Sequence, residues 1–90
     1  MTIFIAVVHK DPDSAWSLFF PDLPGCYSAA DESADIVANA QEALDLWFDD
    51  QPMVEPRDME AIRAEVAEDL REGAFLLGVP YPAGVAAAAE

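Results

Sequence analysis

One histidine, one cysteine, four serines and eighteen carboxylates are the groups in this chain that could do chemistry. Their spacing excludes most reactions. A nucleophilic serine on a strand-to-helix elbow needs Gly-x-Ser-x-Gly, and Ser14, Ser17, Ser28 and Ser33 lack those neighbours. Metal-assisted phosphodiester cleavage needs carboxylates projecting from strands around two cations. The strand-like runs 3–9, 15–20 and 74–79 contain no Asp or Glu. His9 has no second ligand or nucleophile at matching spacing, so it reads as a turn or edge residue hydrogen-bonded to the Asp11–Asp13 loop. Cys26 has no disulfide partner, no companion for zinc and no cationic neighbour, and reads as a small buried strand residue. The four glycines form no phosphate-binding loop. Asp49-Asp50 lacks the alternating ligands and glycine of a calcium loop. The expectation is a chain with no catalytic residue, no metal and no cofactor.

The carboxylates read instead as a field. Four Lys and Arg against eighteen Asp and Glu give a formal charge of −14 in ninety residues. Such a field repels phosphate, so no direct nucleic acid binding by this chain is expected, whereas a basic protein is attracted. Residues 1–30 hold Lys10 against Asp11, Asp13 and Asp22, so −12 of the charge lies in the later, helical part. The length supplies one domain. At this size a domain buries only somewhat more than roughly 60% of its unfolded surface, so its thin core is expected to be supplemented by oligomerisation, as a homodimer or higher oligomer, or by a partner. No apolar run approaches a membrane span and the N-terminus lacks a signal-peptide pattern, which predicts no membrane contact and a cytoplasmic location.

The elements follow from periodicity. Residues 3–9 are β-branched and aromatic and end in the turn-rich Lys10–Ser14, which predicts strand, tight turn, strand. In the second strand, 15–20, Trp16, Leu18 and Phe20 share the face expected to meet the core, and Phe19 lies on the other. Pro21-Asp22-Leu23-Pro24-Gly25 reads as a rigid connection, followed by a third strand, Cys26–Ala30. Asp31 or Ser33 is expected to cap a helix whose apolar stripe is Ile36, Ala40, Leu44, Trp47 and Phe48. Asp35, Asn39, Glu42, Asp45 and Asp49 occupy the opposite, acidic face. Pro56 opens a second helical stretch with the stripe Met59, Ile62, Val66 and Leu70, as one helix or two, and Gly73 ends it. The apolar run Ala74–Val79 is a fourth strand, stopped by Pro80 and Pro82. The predicted fold is a two-layer α+β domain of order β-β-β-α-(α)-β, with three antiparallel strands and a fourth returning parallel to the first.

Several segments together resemble the HicB family of type II antitoxins: Ala6-Val7-Val8-His9-Lys10-Asp11, Phe20-Pro21-Asp22-Leu23-Pro24-Gly25-Cys26, Ala38-Asn39-Ala40-Gln41-Glu42-Ala43-Leu44, Gly73-Ala74-Phe75-Leu76 and Val79-Pro80. The resemblance spans residues 3 to about 82. It implies a partial RNase H-like fold and neutralisation of HicA, a small basic RNA-cleaving toxin with a catalytic histidine. Residues 1–82 are then the antitoxin domain. HicB proteins commonly carry a promoter-binding ribbon-helix-helix or helix-turn-helix segment, whereas residues 83–90 here read as a loose alanine-rich tail with no DNA-binding domain evident. An acidic helix face can mimic RNA phosphates on such a toxin. That places Glu42, Asp45 and Asp49, with Asp22 in the proline-rich loop, near the toxin, against the plainer reading of a face that only confers solubility. Phe19 is expected at an oligomer interface, given a bare outer sheet face. The alternatives are an orphan HicB-like interaction module without a toxin partner and, more remotely, an RNase H-like metal-dependent nuclease.

Overall fold

The computed structural model describes residues 2–10 and 15–81. The loop 11–14 and the tail 83–90, for which a turn and a loose segment are expected, lie outside the described residues.

Strands β1 (Thr2–Lys10), β2 (Trp16–Phe19), β3 (Tyr27–Ala30) and β4 (Phe75–Tyr81) form one sheet in the order β3-β2-β1-β4. Helix α1 (Ile36–Phe48) follows β3, and α2 (Met59–Glu65) and α3 (Ala67–Arg71) precede β4. Every neighbouring pair is antiparallel.

The expected parallel fourth strand is thereby corrected: β4 runs from Phe75 opposite Val8 to Tyr81 opposite Thr2. The parallel return of a partial RNase H-like arrangement is not what this sheet shows. The reason is the route of the chain. After α1 crosses one face, α2 and α3 carry the chain over the other face to the end of the sheet where β1 finishes, so β4 must run back along it.

The same route corrects the two-layer expectation, because helices cover both faces. On one side Phe4, Ala6 and Val8 of β1 pack with Leu18, Phe20, Leu23 and with Ile36, Ala40 and Leu44 of α1. On the other, Ile5 and Val7 pack with Ile62, Val66 and Ala74. All five residues from Phe4 to Val8 are buried. A strand covered on both faces needs apolar side chains at successive positions rather than alternating ones, which is why the β1 sequence is a continuous hydrophobic run.

The helix starts also differ from expectation. Neither Asp31 nor Ser33 caps α1: a 3-10 turn, Ser33–Asp35, leads into it, closed by Asp35 N–H donating to Glu32 O at 3.0 Å, with no side-chain cap. Pro56 precedes α2 without opening it. Asp58 is its N-cap, its carboxylate accepting from Ala61 N–H at 2.9 Å. Residues 57–72 contain two helices, with the break at Val66 (φ −107°, ψ 26°), yet Leu70 N–H still donates to Val66 O at 3.1 Å, so one apolar stripe serves both. Gly73, at φ +104°, ends the helical segment as predicted. Pro80 does not stop β4, which runs on to Tyr81.

No helix among the described residues is long and apolar enough to cross a membrane.

Candidate functional site

Of the two edge strands, β3 has the shorter span and the more exposed surroundings. The loop before it is held by two tight turns, Leu23 N–H to Phe20 O and Cys26 N–H to Leu23 O, both at 3.0 Å, while Gly25 takes φ +86°. Leu23, fully buried, anchors the loop in the core. Phe20 N–H donates to Cys26 O at 3.2 Å, so Cys26 faces β2. On the other side Asn39 of α1 donates its Nδ2 to Ala29 O at 2.9 Å. Because both polar groups of a strand residue point the same way and alternate along the strand, Tyr27 and Ala29 turn theirs away from β2.

Between β3 and α1 lies an open groove of about 400 Å³, lined among others by Tyr27, Ser28, Glu42, Leu46, Trp47 and Asp50. Trp47 forms one wall, its indole N–H donating to Pro24 O at 3.1 Å and its ring packed against the core. Tyr27 and Leu46 flank the groove at 71% exposure each, the most exposed large hydrophobic residues among those described. Sequence reasoning missed both. Leu46 carried a signal, since it falls off the Ile36-Ala40-Leu44 stripe of its helix.

The α1 carboxylates behave as their spacing predicts. Glu42, Asp45 and Asp49, at i, i+3 and i+7, share one exposed helix face, and Glu42 also lines the groove.

Asp22 does not join them as an open carboxylate. Its side chain is only 7% exposed and is held by Arg57, whose Nε pairs with Oδ1 and whose backbone N–H reaches Oδ2 at 2.9 Å. Arg57 also donates Nη1 to Glu65 Oε1 at 2.6 Å. The hydrogen bonds that Arg57 donates to Glu65 and Asp22 raise its own pKa further, and the one to Glu65 holds that carboxyl below the usual carboxylate range. Sequence reasoning missed Arg57. One of only four basic side chains in so acidic a chain is the signal that could have flagged it.

Phe19 is half-buried. The bare outer face expected around it is corrected: helices α2 and α3 cover that face, and Phe19 packs against the second core beside Leu70 and Leu76. Its ring stacks with His9, centroids 6.2 Å apart. His9 Nε2 stands 3.4 Å from Asp69 Oδ1 on α3; the expected Asp11–Asp13 partners lie outside the described residues. Cys26, buried as predicted, donates its thiol to Ala43 O at 3.7 Å, and burial pushes its pKa up to about 11. No group of three or more His, Cys, Asp or Glu that could hold a metal ion occurs among the described residues. The arrangement offers a surface for binding.

Comparison with known proteins points the same way. Residues 4–77 match the family described as the HicB-like antitoxin of bacterial toxin-antitoxin systems. The chain is 32% identical over 65 residues to a UPF0150 protein of Archaeoglobus fulgidus, covering 72% of this chain and 91% of that protein. Among solved structures, it is similar to a chain of the HicA3 and HicB3 toxin-antitoxin complex, at TM-score 0.70 and 25% identity over 88% of this chain and 96% of that one. The Burkholderia pseudomallei antitoxin HicB follows at TM-score 0.68 and 26% identity, over 89% of this chain. This chain spans 63% of that antitoxin's length.

Proposed function

The chain belongs to the HicB-like antitoxin family of bacterial toxin-antitoxin systems, and from that membership we propose that it binds a basic, RNA-cleaving HicA-like toxin and masks it through its acidic surface. The observation that carries this reading is the exposed stripe Glu42-Asp45-Asp49 on α1, in a chain of net charge −14. A toxin surface that holds RNA is positive, and carboxylates in the place of phosphates occupy it while long-range attraction speeds encounter. The solved HicA3 and HicB3 complex supports the kind of partner.

In this reading residues 1–82 act as a cytoplasmic unit that performs no catalysis. Asp22 contributes by holding its loop to Arg57, and the three helix carboxylates lie near the partner and speed its approach. Self-association into a homodimer or higher oligomer belongs to the same proposal, with the exposed part of Phe19 at the contact; a strictly monomeric mass by light scattering would remove it.

The deciding experiment asks whether a small basic protein is encoded beside this chain, mixes the two purified proteins and follows cleavage of labelled RNA. Cleavage should stop near one equivalent of antitoxin. A toxin that keeps cleaving at full rate in excess antitoxin ends the proposal.

A further inference from the structure

We propose that the outward edge of β3, with the groove between it and α1, receives an extended basic segment of the toxin, which adds to the sheet as a fifth strand. The inference rests on the antitoxin reading above and names the place where that antitoxin acts.

The backbone argument comes first. The hydrogen bonds of Cys26 and Ala29 fix the alternation along β3, so Tyr27 presents both its N–H and its C=O, and Ala29 its N–H, away from the sheet. Strand addition needs such a row of outward groups. Sheets ordinarily protect an edge with a proline, a charged side chain or a bulge. The β3 sequence Tyr-Ser-Ala-Ala has neither proline nor charge, and its pairing with β2 is regular from Tyr27 to Ala30.

Side chains decide the occupant. Leu46 offers exposed apolar contact beside the groove, Tyr27, paired with Phe19, offers it on the opposite face of the same edge, and Trp47 supplies a fixed wall. Glu42 and Asp50 line the groove, and no Lys, Arg or His is among its described lining residues. An incoming strand carrying Lys or Arg meets complementary charge on desolvation. A second copy of this chain, paired edge to edge, would bring the same carboxylates against each other and is disfavoured.

The test measures affinity of the full chain for a small basic HicA-like protein, the one used in the cleavage experiment above, with three variants. Glu42→Lys with Asp50→Lys reverses the groove. Asp45→Lys with Asp49→Lys makes the same change in net charge on the helix face outside it. Tyr27→Pro removes an outward N–H without removing a donor to β2. Near-UV circular dichroism establishes that each variant is folded; should Tyr27→Pro fail to fold, the matched charge pairs decide the matter alone. The groove pair and Tyr27→Pro should each weaken binding about 30-fold or more, the scale of a central interface anchor. The outer pair should cost only a few-fold, mostly in association rate. Equal losses from the two charge pairs, or full binding by folded Tyr27→Pro, overturn the groove while leaving the antitoxin reading intact. A wild-type chain that binds no such protein overturns both. A wild-type dimer that Tyr27→Pro converts to monomer gives the edge to a second copy and overturns the basic occupant.

Discussion

Each edge strand of the sheet begins two residues after a glycine with positive φ, Gly25 ahead of Tyr27 and Gly73 ahead of Phe75. Each also has a carbonyl held by a side-chain amide of α1. Asn39 reaches Ala29 O on β3 at 2.9 Å, and Gln41, two residues on and turned to the opposite side of the helix, reaches Pro80 O on β4 at 3.1 Å. There the likeness ends. Since the Pro80 carbonyl turns to Gln41, the missing Pro80 N–H also falls on the outward side, where it interrupts the row a new strand would need. β3 has no such interruption and stands beside Glu42 and Asp50. A helix laid across a sheet can thus secure both edges while the choice of one residue closes one and leaves the other open to a partner.

The largest change comes from loosening the shared element. Leu44 is fully buried at the middle of α1, and Leu44→Ala should cost about 2–5 kcal/mol by urea denaturation. Because α1 serves both edges, amide exchange should accelerate in β3 and β4 together. Acceleration confined to one edge would mean that the helix does not couple them.

The two glycines separate the edges. An added Cβ meets nothing within 4 Å at either position, so the cost of Gly25→Ala or Gly73→Ala is backbone strain alone, about 1–2 kcal/mol. Gly73, at φ +104°, lies farther than Gly25, at +86°, from the left-handed basin that an L-residue tolerates near +57°, so Gly73→Ala should be the more destabilising. Equal denaturation midpoints would break that ranking.

The amides should matter less. Removing a hydrogen bond of this kind costs about 0.5–1.5 kcal/mol, and less where water can replace it. Gln41 is part-buried at its contact and Asn39 is exposed at its own, so Gln41→Ala should lower the melting temperature more than Asn39→Ala does.

How much of this could be read from the sequence depends on whether the signal was local. The β1 run, the α1 stripe, the end of the second helical stretch at Gly73 and the common face of Glu42, Asp45 and Asp49 are consequences of spacing within one element, and the structure places them as read. The direction of β4 was not legible, because an apolar run such as Phe75–Val79 is the same whichever way the strand runs. Its sense is set by where α2 and α3 deliver the chain. Nor was the role of Asp22, whose partner Arg57 is thirty-five residues away. The open groove was hidden for a different reason: Tyr27 and Trp47 are residue types that ordinarily read as core, and only the sheet order reveals β3 as an edge.

The smallest predicted effect concerns a clamp that, among the described residues, one edge has and the other lacks. Arg57 joins the loop leading into β3 to α2 through Asp22 and Glu65, whereas the segment before β4 has the exposed i,i+3 pair Arg71–Glu68. The hydrogen bond from Arg57 lowers the Glu65 pKa in the folded chain. A carboxyl depressed on folding contributes stability that is present above its unfolded pKa and is lost as pH falls through its folded one. Glu65→Gln should therefore lower the urea midpoint slightly at neutral pH, and the gap to wild type should close as acid protonates Glu65. Glu68→Gln should change the neutral midpoint less, since an exposed pair of this spacing is worth little. A Glu65→Gln gap that stays constant down to the most acidic pH at which the chain remains folded would mean that packing of the side chain, rather than its charge, holds the entry to β3. The proposed difference between the two edges would then rest on Pro80 and the groove carboxylates alone.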